Sequence, residues 1–326
     1  MSFDRPSRLA DSARPAGTAS SYAFGGLRLS SSFPLPFLVA PPAANARAVA
    51  DIHIELSFDE LPDGRLIHQS VGRYGLALHC FGLDWIFRHR ATGVRVDATG
   101  RRLVCHCPQP SDLPLLAEIL VRRILPKLCY LHGRLPIHAA TLGDDAGALL
   151  LLGASSSGKS TTTAALARNL GWRIFSDDMS ILDDGDRPLA LGGVPGVSLW
   201  QDAVDGLDIS AAHLSPMAGY EGKYAYRPAA GPSAPLPLNA IILLSAATDD
   251  SAIRLEPLAG PEVLVMICSQ IVPFNPRDPV ENADLMRRFN RVATDVPVFA
   301  LSYPRTYAML PAVVDTVAPL IDRWAA

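Results

Sequence analysis

Residues Gly153-Ala154-Ser155-Ser156-Ser157-Gly158-Lys159-Ser160 have the spacing G-x-x-x-x-G-K-[ST]. Two glycines at that separation let a loop curl around an anion, so that successive backbone N–H groups and the start of the following helix point at it. Lys159 then places a positive charge beside the β- and γ-phosphates, and the Ser160 hydroxyl suits Mg²⁺. Thr161 opens the helical stretch that follows. The apolar run Ala148 to Leu152 before the loop reads as a strand and Thr161 to Leu170 after it as a helix, which is the setting such a loop needs. The expected ligand is a nucleoside triphosphate, taken as ATP with Mg²⁺.

Carboxylates come next in the chain. Asp177-Asp178 follows the strand-like Arg173-Ile-Phe-Ser176, and a carboxylate leaving a strand end beside a triphosphate can serve Mg²⁺ or orient an attacking group. Two adjacent aspartates permit a division of labour, one held by metal and the other accepting a proton from an incoming hydroxyl. Asp144-Asp145 and Asp183-Asp184 sit beside glycine in turn-like contexts and read as structural. His138, expected on the strand before the loop's own strand, is placed to polarise a γ-phosphate or tune an aspartate. Lys223 and Arg227, in Lys223-Tyr-Ala-Tyr-Arg227 within a Gly/Pro-rich tract, are candidate cations closing over phosphates or holding a peptide.

These side chains need a scaffold. Before them, Gly26–Leu29, Asp51–Leu56, Tyr74–His79, Asp84–Arg88, Val94–Val96 and Leu103–Cys105 read as short strands of a small antiparallel β unit over residues 22–111, behind a tail at 1–21. Leu113 to Leu131 repeats apolar residues near helical spacing, with Arg122-Arg123 on the other side, and Pro126 implies a kink or two shorter helices. Residues 112–326 then form the catalytic unit. A hairpin around Gly143–Gly147 leads into the loop, and a Gly/Pro-rich tract runs from Gly192 to Pro235. Strands are expected at Met179–Leu182, Leu238–Leu244, Ile253–Glu256 and Pro297–Tyr303, with helices at Pro261–Ile271, Glu281–Thr294 and Leu310–Trp324. Such mixing is an α/β fold.

Bulk properties narrow the partners. The 326 residues carry a net charge of −3, and their basic doublets Arg101-Arg102, Arg122-Arg123 and Arg287-Arg288 are scattered, which reads as solvated surface rather than a nucleic-acid footprint. No run approaches the roughly 20 apolar residues of a membrane span, and Met1–Ser21 has no apolar signal core. Five cysteines without a C-x-x-C pair fit a reducing cytoplasm. In Cys105-His106-Cys107 the thiols share one strand face and the imidazole the other, which does not make a metal site.

The order Leu135-Pro-Ile-His138-Ala-Ala, hairpin, Gly153 to Ser160, and Arg173-Ile-Phe-Ser-Asp177-Asp178 resembles the catalytic domain of the HPr serine kinase/phosphorylase family. It is most similar to the shorter relatives found with lasso-peptide and other peptide-modification systems. The resemblance spans about residues 112 to 322. It implies a nucleotide core like that of ATP-dependent phosphoenolpyruvate carboxykinase, with a small mainly-β N-terminal domain. The activity it implies is phosphorylation of a Ser or Thr hydroxyl on a peptide or small protein, a lasso-peptide precursor being one such acceptor. By the same resemblance Asp177 is the general base, Ser160 and Asp178 serve Mg²⁺, and His138 lies beside the transferred group. Thr161 stands where that family has Glu, and Gly192-Gly-Val-Pro-Gly196 is the nearest stretch to its Glu-containing signature, so phosphorylase activity and HPr as acceptor are not implied. Two other readings stay open, a small-metabolite kinase and a nucleotide-driven conformational switch. The oligomeric state is also open, a homo-oligomer included.

Overall fold

The computed structural model describes residues 19–35, 37–41, 49–72, 74–154, 157–217, 220–228, 234–246 and 252–322. The expected tail (save its last residues), Ser155, Ser156 and Trp324 lie outside them. The described residues form a mixed α/β structure with three sheets. Among the described residues no helix is long and apolar enough to cross a membrane.

The first sheet contains β1 (Ser20–Phe24), β2 (Leu27–Ser31), β3 (Ile52–Ser57), β4 (Arg65–Gln69), β5 (Ala77–Phe81), β6 (Asp84–His89), β7 (Thr92–Val96) and β8 (Arg102–His106), in the order β1-β2-β3-β8-β7-β6-β5-β4. It is not the purely antiparallel unit expected, because β3 runs parallel to both β2 and β8. A long connection separates β2 from β3, and the β4–β7 meander separates β3 from β8, so both pairs have the chain length that a parallel crossover requires. β1 begins at Ser20, inside the expected tail. Cys105 and Cys107 lie fully buried in the core under this sheet.

That core is closed by a helical run: α1 (Leu113–Ile119), a π-helical turn (Leu120–Ile124) and α2 (Leu125–Leu131). Pro126 has no N–H to give an ordinary helical bond, and the wider turn directly before it absorbs the mismatch. Leu116, Leu120, Ile124 and Leu128 face the sheet, and Ile181 and Leu191 join the same cluster.

The second sheet positions the glycine-rich loop, His138 and the Asp177-Asp178 pair. Its strands are β9 (Leu135–Ile137), β10 (Ala140–Asp144) and β11 (Gly147–Leu152), then, beyond α3 (Lys159–Leu170), β12 (Arg173–Ser176), β13 (Ser180–Asp183) and β14 (Leu189–Leu191). The Gly/Pro-rich tract is not a loop. It folds as β15 (Val197–Trp200), α4 (Gln201–Gly206), β16 (Leu214–Pro216) and β17 (Lys223–Tyr226), a three-stranded antiparallel sheet. After it come β18 (Leu236–Ala246), β19 (Arg254–Leu258), α5 (Pro261–Cys268), α6 (Pro279–Asp295), β20 (Val298–Tyr303), α7 (Leu310–Val317) and α8 (Pro319–Asp322). The expected last helix is thus split, at the proline that cannot continue it.

β11 is buried along its whole length, between β10 and the parallel β18, which itself pairs in parallel with β20. An all-apolar run suits a strand covered on both faces. Here α3, α4 and α7 cover one face (Leu166, Val204, Val313) and α5 and α6 the other (Val263, Leu285, Phe289). Asp183 and Asp184 are held by ion pairs from distant segments: Asp184 takes both Arg288 and Arg291, and Asp183 takes Arg134.

Candidate functional site

β11 ends at Leu152 and the chain turns through the glycine-rich loop into α3. Gly153 sits so close to the loop's far side that a Cβ there would lie 2.5 Å from Ser157 Oγ. Gly158 is left-handed (φ 88°) directly before the first helical residue, a conformation that disfavours side chains. Lys159 is buried; its Nζ donates to the carbonyls of Gly153 (2.6 Å) and Ala154 (3.3 Å), so the side chain folds back along the loop. Burial lowers the pKa of its ammonium, with Asp177 and Asp178 acting the other way. Thr162 fixes the junction, donating to the Gly158 carbonyl at 2.9 Å and meeting Tyr303 Oη at 2.7 Å.

The two aspartates face different neighbours. Asp177, at the end of β12, is buried; its Oδ1 accepts from Ser160 Oγ at 3.2 Å and its Oδ2 from the Ser198 amide at 2.9 Å. Burial, and then the charge of Asp178, push its carboxyl above the usual range against the Ser198 hydrogen bond. Asp178 is more open. His138 Nε2 lies 2.8 Å from its Oδ1 and Arg123 Nη2 2.7 Å from its Oδ2, and its side chain stays 32% exposed. Burial works against its charge, but His138 and Arg123 outweigh that and hold the carboxyl far below the usual range.

Backbone geometry aims that second carboxylate. Asp178 has φ 72°, and the Met179 amide donates to the Asp177 carbonyl at 2.8 Å across it. This is a γ-turn of the rare positive-φ kind, strained for any residue with a side chain. His138 is not on a strand, as its apolar neighbours suggested. It occupies the break between β9 and β10, its amide bonded to the Gln270 carbonyl (2.7 Å) and its Nδ1 3.2 Å from Gln270 Oε1. Both ring nitrogens therefore face oxygen.

These groups line one cavity of about 410 Å³, with Ser157, Gly158, Lys159, Ser160 and Thr161 on one side and His138, Asp177 and Asp178 beside them. Lys223 reaches it from β17, whereas Arg227, expected alongside, does not line it. Gly153 and Ala154 contribute through the carbonyls that hold Lys159.

No family model matches the sequence, and no curated protein matches it. Among solved structures, the HPr(Ser) kinase/phosphatase from Coxiella burnetii is similar over 56% of this chain and 93% of its own, at 14% identity and a TM-score of 0.26. So loose an overlap carries no assignment, and the cavity has to be read from its own residues.

Several of those residues were not apparent in the sequence. Arg122 and Arg123, read as solvated surface, both line the cavity. Glu118 is buried on the same helical run, and Tyr74, between β4 and β5, donates to it at 3.3 Å and lies 3.5 Å from Tyr220 Oη. Trp200 and Tyr220 complete that wall. Among the described residues no group of three or more His, Cys, Asp or Glu is arranged to hold a metal. Mg²⁺ seldom needs one, since it takes one or two protein oxygens and leaves the rest to water and phosphate. Ser160 Oγ beside Asp177 is such a pair.

Proposed function

We propose that the protein is an ATP/Mg²⁺-dependent kinase that phosphorylates a Ser or Thr hydroxyl of a peptide or small protein. The observation that carries this reading is the convergence of Lys159, Ser160, Asp177, Asp178 and His138 on one cavity, from three separate parts of the chain. The loop amides and Lys159 hold the phosphates. Ser160 and Asp177 are hard oxygen donors that fit Mg²⁺, which when bound neutralises phosphate charge.

Geometry favours the reverse of the aspartate roles that the family resemblance implies. Asp177 is the stronger base by its raised pKa, but it is covered and already bonded to Ser160 and Ser198. Asp178 is paired on both oxygens too, with His138 and Arg123, but its side chain is 32% exposed, which makes it the carboxylate an incoming hydroxyl can approach, and His138 orients it. We therefore assign Asp178 as proton acceptor and Asp177 to the metal side. Phosphoryl transfer depends mainly on positioning and charge neutralisation, so an acceptor with a low pKa is sufficient.

The test is incubation with Mg·ATP and Ser/Thr-containing peptides, read by mass. A phosphate-sized gain on a peptide that disappears in Asp178→Asn is the expected result. ADP release that no acceptor accelerates would point to a conformational switch instead.

A further inference from the structure

Four cations line the cavity: Arg122, Arg123, Lys159 and Lys223. Two have an evident task, because Lys159 lies along the glycine-rich loop and Arg123 is paired with Asp178. The other two do not. Arg122 holds its guanidinium over the Phe37 ring, Cζ 5.5 Å from the centroid, and its buried Nε has no hydrogen-bond partner among the described residues. Lys223 Nζ stands over two rings, 5.3 Å from the centroid of Trp200 and 4.9 Å from that of Tyr220. Neither makes an ion pair among the described residues.

A cation kept on aromatic faces is fixed in place yet leaves its donors available. A partnerless guanidinium N–H at a buried position is costly until something accepts from it. Both cations line the same cavity as the carboxylates Glu118 and Asp177, and they reach it from different elements. Those carboxylates do not satisfy them. Asp177 is occupied by Ser160 and Ser198, and Glu118 is bonded to Tyr74, while burial pushes its carboxyl up toward the neutral form.

We infer that Arg122 and Lys223 form an oxyanion subsite in the cavity that the glycine-rich loop also lines, and that it takes a phosphate or carboxylate carried by the acceptor. This rests on the kinase reading for what fills the loop, and it narrows the substrate class to acceptors with an anionic group close to the hydroxyl. The same chemistry also suits a phosphate of the nucleotide, and the two sources are separable.

The experiment fills the loop first. Mg·AMP-PNP, which cannot transfer its terminal phosphate, is titrated into wild-type protein and Arg122→Gln/Lys223→Gln. Inorganic phosphate is then titrated in at saturating Mg·AMP-PNP, followed by calorimetry and by the emission of Trp200, with Trp200→Phe as the control. Losing two charge-assisted donors should weaken phosphate binding about tenfold or more, with AMP-PNP affinity changed far less. Arg122→Lys/Lys223→Arg, which keeps both charges, should recover most of it and shows that the glutamine variant did not fail by misfolding. Unchanged phosphate binding in the glutamine variant, or none in the wild type, overturns the subsite. So does an AMP-PNP loss as large as the phosphate loss, since the cations would then belong to the nucleotide. Failure of the wild type to bind AMP-PNP at all overturns the nucleotide reading instead.

Discussion

Ser160 Oγ lies 3.2 Å from Asp177 Oδ1, while the adjacent Asp178 turns away to meet His138 at 2.8 Å. One dipeptide thus serves two sides of the cavity. The positive φ of Asp178 allows this, because an extended pair would also have sent the side chains to opposite faces but would have carried the second one off with the strand.

The two aspartates should therefore fail differently. Asp177→Asn is expected to raise the Mg²⁺ concentration needed for nucleotide binding, whereas Asp178→Asn should leave binding nearly intact and slow transfer by about 10²- to 10⁴-fold. Nucleotide titrations at several Mg²⁺ concentrations, with single-turnover transfer measured on each variant, separate the two. Identical phenotypes would contradict the division of roles.

Asp178 also makes a prediction for stability. Its folded pKa is depressed below the ordinary aspartate value, so its ionised form stabilises the fold above about pH 4, and that contribution fades as pH falls toward the folded value. Asp178→Asn keeps a residue that tolerates left-handed backbone and removes the charge. The variant should be less stable than the wild type at pH 7, and the gap should narrow below pH 4. Denaturant midpoints at pH 7 and pH 3 check the sign; a gap that widens on acidification would refute it.

Lys159 gives a simpler expectation. Substitution by Met keeps the stem and removes the charge that the loop carbonyls now hold. Nucleotide affinity should drop by about 10- to 100-fold, the range for a charge-assisted hydrogen bond, with little change in the fold. Calorimetric titration with Mg·ATP measures it.

Parts of this arrangement were legible in the sequence for plain reasons. The glycine-rich loop is local, so its spacing alone implied the strand before it, β11, and the helix after it, α3. Asp177 follows for the same reason, one helix and one strand later. Arg122 and Arg123 were not legible. Helical periodicity assigns polar residues to solvent, and nothing local shows that this solvent-side face looks onto a cavity. Both arginines also lie within the π turn Leu120–Ile124, whose wider spacing departs from the 3.6-residue period used to place them. Tyr74, Trp200 and Tyr220 come from segments distant in sequence, and only the packing of the first sheet and the three-stranded sheet against α1 and α3 brings them together. His138 was placed on a strand because its neighbours are apolar, yet its amide bonds Gln270, a partner more than a hundred residues away.

The two loop glycines offer the closest test of why the phosphate cradle has its spelling, because they are required for different reasons. At Gly153 close contact is added to an unusual backbone: φ is 158°, and a Cβ would sit 2.5 Å from Ser157 Oγ and 3.1 Å from the Leu244 carbonyl. At Gly158 there is room, with Tyr303 Oη 3.6 Å away, and the obstacle is the left-handed backbone itself. Gly158→Ala should thus cost about 1–2 kcal/mol, and Gly158→Asn less, since Asn adopts that conformation more readily. Gly153 allows no such rescue. Both Gly153→Ala and Gly153→Asn must displace Ser157, so both should weaken Mg·ATP binding more than Gly158→Asn does. Binding and thermal unfolding measured on the four variants decide it. Rescue by Asn at position 153 as well would refute the close approach argued for that glycine.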